Sequence, residues 1–346
     1  MAYTTIDNGE EHFNTVTYTG TGSSRSITGL EFGPDWVWIK RRNGAYSHYL
    51  YDSTRGTGKQ LYAEKLDAEA TDNTEVTAFN SDGFSLGSGS GTNENTNTQV
   101  AWCWKANGGT TSSNTNGDVT STVQANTTAG FSIVTWTSTG GNESVGHGLG
   151  VTPNWFITKN RSAGANWKVY HDKNTSAPQT DNLSLNKTDA TQDDAAAWND
   201  TAPTSTTFTV GTDAGSGGSS GNNMIAYCFA EIQGYSKFGS YTGNGNADGA
   251  FVYTGFKPAW LMVKKSVGNA RAWVIHDNKR DIDNPTASRL DANTNEADQS
   301  SGHFDFLSNG FKCRSTEGAT NQDTHTFVYM AFAEHPFVSS KGVPVT

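Results

Sequence analysis

The segment Val100 to Lys105 alternates large and small residues, with Val100, Trp102 and Trp104 on one side and Ala101 and Cys103 on the other. Period-two alternation with apolar residues on both faces predicts a strand buried on both sides, central in its sheet. Ile225 to Ala230 and Val328 to Ala333 repeat the pattern. A second block, Pro-x-Trp followed by three mostly apolar residues and Lys, also occurs three times, at Pro34–Lys40, Pro153–Lys159 and Pro258–Lys264. The period is roughly a hundred residues, against about 20–50 for a solenoid unit, so it predicts tandem domains. The terminal Lys reads as the point where that strand leaves the core.

Other blocks keep the same order. A turn-rich strand end (Tyr18–Gly22, Trp136–Gly140, Tyr241–Gly245) precedes each Pro-x-Trp strand, and an aromatic strand ending in Asp (Asp52, Asp172, Asp277) follows it. Asp82-Gly83 and Asn309-Gly310 between apolar residues predict hairpins with type I′ turns. Helical patterning is weak. Asp189 to Trp198 suits a single short helical turn. The chain therefore reads as all-β: three tandem antiparallel β-sandwich repeats of jelly-roll or lectin-like type over residues 1–106, 127–233 and 234–346. A Gly/Ser/Thr/Asn-rich stretch, 107–126, reads as an exposed linker that leaves the first repeat mobile. Trp36, Trp155 and Trp260 mark the repeats, as do Cys103 and Cys228.

Composition sharpens this picture. Hydrophobic residues make up 34% and charged residues 17%, with 38 Gly. Such a turn-rich chain borders on disorder, but 10 Trp, 12 Tyr and 17 Phe supply enough burial to offset the entropy of ordering. The net charge of −10 and the shortness of the basic clusters argue against a nucleic-acid partner. No apolar run approaches the ~20 residues of a spanning helix, so membrane insertion is not expected. The start, Met1 to Asp7, has no signal-peptide pattern. Cys103 and Cys228 share a repeat position that Ala331 fills in the third copy, which predicts small buried residues, free thiols and folding in a reducing cytoplasm.

The search for chemistry points away from catalysis. The Glu-x-Asp-x-x-Glu pattern of sandwich-fold glucanases is absent, and Asp281-Ile282-Asp283 reads as a solvated turn. His171-Asp172 and His276-Asp277 are sequence neighbours, which on a strand point to opposite faces and cannot form a base and its orienter. Gly146-His147-Gly148-Leu149-Gly150 precedes a strand rather than a helix, so it is no phosphate loop. No cofactor is expected, although Asp193, Asp194 and Asp200 could ligate Ca²⁺. Aromatic residues that do not recur are the better binding candidates: Tyr46, Trp167, Trp198 and Trp38, with Asp200 beside them as a hydrogen-bonding partner.

The blocks at 241–249, 251–260, 306–312 and 331–337, the opening Ala2–Asp7 and the closing Phe337–Pro344 are similar to a family of tailed-bacteriophage virion proteins, common in marine and cyanobacterial phages. The resemblance covers essentially the whole chain. It implies a virion or tail-fibre-like protein of concanavalin A-like lectin character, assembled in the host cytoplasm, and it carries over no catalytic residues. The resulting expectation is a non-enzymatic adhesin binding host-surface polysaccharide beside other virion subunits. A homo-oligomer is expected for avidity, a trimer by analogy. A purely structural virion component, such as a capsid decoration or tail-associated protein, is the alternative, and a polysaccharide depolymerase the third reading.

Overall fold

The computed structural model describes residues 3–345. Met1 and Ala2, which belong to the signal-peptide and opening-motif readings, lie outside the described residues.

Strands dominate, joined antiparallel in every named pair, and the fold is all-β with sandwich layering. One sheet orders its strands Phe13–Thr19, Thr98–Trp104, Trp36–Arg41, His48–Asp52, Lys59–Tyr62 and Ala70–Thr71. A second has Phe131–Thr137, Asn223–Phe229, Trp155–Asn160 and Lys168–His171 at its centre, and a third has Ser236–Thr242, Thr326–Pro336, Phe256–Lys265 and Trp273–Asp277. In each, the strand that alternates large and small side chains lies between two others, as its two apolar faces require.

Those two faces serve different cores. Trp36, Trp38, Trp102 and Trp104 of the first sheet meet Trp155, Tyr227 and Phe229 of the second and Trp260, Met330 and Phe332 of the third in one inner core. Trp36 stacks on Tyr227 with ring centroids 4.3 Å apart, and Phe13 stacks on Phe332 at 5.1 Å. The opposite faces pack into separate outer cores. Val37, Ile39, Ala101 and Cys103 lie under the small sheet of Arg25–Thr28, Gly83–Leu86 and Val76–Asn80. In the third sheet, the later strands curl back so that Phe304, Phe306 and Phe311 cover Leu261, Val263 and Ala331.

The contacts joining the sheets recur around a ring. Lys159 donates to the Leu66 carbonyl at 2.7 Å, Lys264 to the Thr188 carbonyl at 2.7 Å, and Lys40 to the Asn295 carbonyl at 3.2 Å. The backbone follows the same cycle: Glu69 N–H donates to Arg161, Thr191 to Ser266 and Asp298 to Arg42. Each sheet thus docks on the one before it, and the first docks on the third.

Several sequence expectations change. The lysines of the Pro-x-Trp strands do not leave the core: Lys40, Lys159 and Lys264 are fully buried, because carbonyls of two loops meet each ammonium. The stretch 107–126 is not a free connector, since Ser112–Asn114 and Ser121–Asn126 are strands of the second sheet and Gln124 is buried. Nor does the first sheet stand apart, because its aromatic face is a wall of the shared core. The two hairpins form, but their turns centre one residue earlier, on Ser81-Asp82 and Ser308-Asn309. Their glycines serve close approach instead. A Cβ on Gly83 would lie 2.0 Å from the Ile27 carbonyl oxygen, and one on Gly310 2.1 Å from that of Val252. The short helix does occur, over Ala195–Trp198, capped by Asp194.

Candidate functional site

The register corrects the His/Asp column. Trp36 pairs with Asp52 and Trp260 with Asp277, but Trp155 pairs with His171. The second copy is therefore slipped by one residue against the sequence blocks, and a one-residue slip exchanges the faces. His171, not Asp172, reaches into the inner core. The Lys173 N–H donates to its Nδ1 at 3.0 Å, leaving Nε2 to donate to the Tyr329 carbonyl at 3.0 Å. Burial pushes its pKa down. His276 faces the outer core against the Phe304 ring, and burial likewise pushes its pKa down. Both imidazoles are enclosed, at 2% and 0% exposure, so neither meets a substrate from solvent.

The aromatic candidates separate by burial. Trp38, Trp167 and Trp198 are buried and cannot offer a face to a ligand. Each indole N–H is also used: Trp38 donates to His48 Nδ1, Trp167 to the Tyr62 carbonyl and Trp198 to the Asp181 carbonyl. Once the slip is applied Trp167 does recur, in the place of Trp273: Trp167 donates to a carbonyl of the preceding sheet at 2.8 Å, as Trp273 donates to the Ser184 carbonyl at 2.9 Å, while Trp198 packs in the outer core of its own sheet. Tyr46 is half-buried, its ring covered by the Arg41 guanidinium at 3.4 Å. Asp200 is exposed with a left-handed φ of 47°. The structure does not bring Tyr46, Trp167, Trp198 and Asp200 together. Asp193 is exposed, and Asp194 caps its helix and lies 3.5 Å from Lys168. Among the described residues no group of His, Cys, Asp and Glu is arranged to hold a metal ion. Trp36, Trp155, Trp260, Cys103 and Cys228 are all buried, and all three cysteines are free.

A cavity of about 330 Å³ opens instead at the variable residue of the first Pro-x-Trp block. Asp35, Ser53, Phe79, Asn80, Ser81 and the Gly108-Gly109 turn line it, with Gly33 and Pro34. The Asp35 carboxylate is buried and builds the wall. It accepts hydrogen bonds from Ser53 Oγ at 2.6 Å and from the N–H groups of Ala106, Gly108 and Gly109 at 2.7, 2.9 and 2.8 Å. Gly108 and Gly109 adopt φ of 60° and 77°, and a Cβ at either would meet nothing within 4 Å. The turn therefore needs glycine for its backbone, and the missing side chains leave the mouth open. The half-buried Phe79 ring gives one apolar wall, while Asn80 and Ser81 give hydrogen-bonding groups. A site of this size with one aromatic wall and a few polar groups suits a small polar ligand such as one sugar unit. Asn154 and Ala259 stand where Asp35 stands, so the turn-building carboxylate belongs to the first copy alone. Comparing the variable position of the three blocks was the signal that could have found it.

Two shallower clefts occupy matching places. One of about 170 Å³ is lined by Thr120, Thr122, Thr135, Trp136, Thr137, Arg161 and Asn223. One of about 160 Å³ is lined by Thr17, Tyr18, Thr19, Arg42, Thr98 and Gln99. Both arginines are engaged across sheets, Arg161 with Glu69 at 2.8 Å and Arg42 with Asp298 at 2.7 Å. The clefts thus offer hydroxyl groups more than free charge.

Fold and site together define an all-β protein of layered antiparallel sheets with ligand-sized polar recesses. The chain matches the family model described as "Domain of unknown function (DUF7483)" over residues 8–336, and it belongs to that family. No curated protein and no solved structure matches it.

Proposed function

We propose that the protein is a surface-displayed virion component of a tailed bacteriophage, a tail-fibre-like adhesin whose recesses hold host-surface glycans. The observation that carries this reading is the Asp35 cavity, where an aromatic wall and hydrogen-bonding groups share an open mouth. The sequence resemblance to phage virion proteins supplies the setting. Binding rather than catalysis is favoured because the one buried carboxylate of the cavity is consumed by four hydrogen bonds.

A glycan array probed with the purified protein tests the proposal, together with Ser81→Trp, an exposed position at the cavity rim. Glycans bound by the wild type and lost in the variant support it. Absence of binding to any array glycan and to host envelope contradicts it. The alternative of a purely structural virion part draws on a different observation: nearly all the aromatic surface is spent on internal cores. Locating the chain buried among other subunits of the particle would favour that alternative.

A further inference from the structure

We propose that the outward face around Phe251 and Tyr253 is a second saccharide site, a platform for an extended neutral polysaccharide; it rests on the glycan-binding reading above. Of 10 Trp, 12 Tyr and 17 Phe, only these two are exposed among the described residues, at 47% and 54%. They flank Val252, which turns inward to the outer core. Alternation therefore puts both rings on the same outer face, about 7 Å apart along the strand. The pair is not a packing residue of the fold. In the first sandwich, Ser26 and Thr28 hold the matching register, opposite Ser85 and Gly83, as Phe251 and Tyr253 lie opposite Lys312 and Gly310.

The surroundings suit a sugar chain. Gly310, opposite Tyr253, has no side chain to cover the ring. Tyr3 donates its hydroxyl to the Gly255 carbonyl at 3.0 Å and lies 3.1 Å from the Tyr253 hydroxyl, which fixes that phenol in place. Lys312, opposite Phe251, pairs with Asp248 at 2.5 Å, so the flanking groups are polar with their charges balanced. The electron-rich ring faces take the C–H side of a pyranose, and the neighbouring polar groups take its hydroxyls. A stable protein partner would need about 800 Å² on each side with an apolar centre, and two rings bordered by an ion pair provide far less. Neutral charge follows from Lys312 being already paired.

Affinity electrophoresis through gels containing laminarin, galactomannan or dextran, preceded by the glycan array, tests the platform on the full chain. The variant is Phe251→Ser with Tyr253→Thr, the residues the first sandwich carries. The expected result is retardation of the wild type and a loss of about tenfold in affinity for the variant, the combined effect of two stacked rings, with an unchanged melting temperature. Equal retardation of both proteins overturns the platform while leaving the cavity reading intact. A wild type that binds no glycan in either assay overturns both. A variant that binds glycans normally but no longer joins the particle shows a protein seat and also overturns the platform.

Discussion

The indole N–H of Trp102 donates to the carboxylate of Asp277 at 3.0 Å, across 175 positions of sequence. The Tyr227 hydroxyl makes the corresponding bond to Asp52 at 2.7 Å, also across 175 positions. In the remaining junction His171 meets the Tyr329 carbonyl. These bonds join the strands that carry the repeated blocks, so the repeat motifs are also the joints of the ring.

The Asp277 joint is a vulnerable point of the ring. Its carboxylate also accepts from Arg280 Nε at 2.6 Å, and both side chains are fully buried. Asp277→Ala leaves a buried guanidinium short of a counter-charge and a buried indole N–H without an acceptor. The expected loss is about 3–5 kcal/mol in guanidinium denaturation. Asp52→Ala should act alike through Arg55 and Tyr227.

The buried lysines make stability depend on alkaline pH. Burial lowers the Lys264 pKa to about 7 from its ordinary 10.5. Between those values the unfolded chain binds a proton that the folded chain does not. Stability therefore rises with pH across that window and is lost as the pH falls through about 7. Lys40 and Lys159, lowered by burial to about 8, add the same sign above that pH. Denaturation curves of wild type and Lys264→Met across the window should show a shallower slope in the variant.

The hairpin glycines are fixed by close approach of backbone. Gly83→Ala and Gly310→Ala each set a methyl against a carbonyl oxygen of the adjoining strand, at 2.0 and 2.1 Å before any relaxation. Each should cost about 2 kcal/mol or more by forcing that strand away. Gly141→Ala, whose Cβ would meet only Thr139 Oγ1 at 4.0 Å, should change little. Thermal melts of the three variants check the contrast.

The thiols should be silent in the native state. Cys103, Cys228 and Cys313 are buried and free, and burial pushes the Cys313 thiol up to about 12 and the other two higher as well. Thiolate is the reactive form. Titration with a thiol reagent at mildly alkaline pH should find no reactive cysteine until the protein is unfolded, and all of them afterwards.

Much of the fold was legible because it depends on local alternation. Val100–Trp104 reads as a central strand and is one, and the repeated tryptophans read as framework and are buried. What escaped was any feature set by a partner far along the chain. Lys40, Lys159 and Lys264 look like exits until the carbonyls of the preceding sheet are in place. His171 looks aligned with His276 until the pairing of Trp155 reveals the slip. The same slip hides that Trp167 holds the place of Trp273, and Trp198 looks free until the outer core of its own sheet closes over it. Phe251 and Tyr253 were readable in principle, since aromatic residues replace Ser26 and Thr28 at outward positions.

The central claim is that the sheets form one cooperative body around a shared aromatic core. Differential scanning calorimetry of the full chain tests it most directly. A single transition whose van't Hoff and calorimetric enthalpies agree is predicted, because removing any sheet exposes the inner faces of the others. Two or three resolved transitions, with residues 1–106 melting independently of the rest, would contradict it.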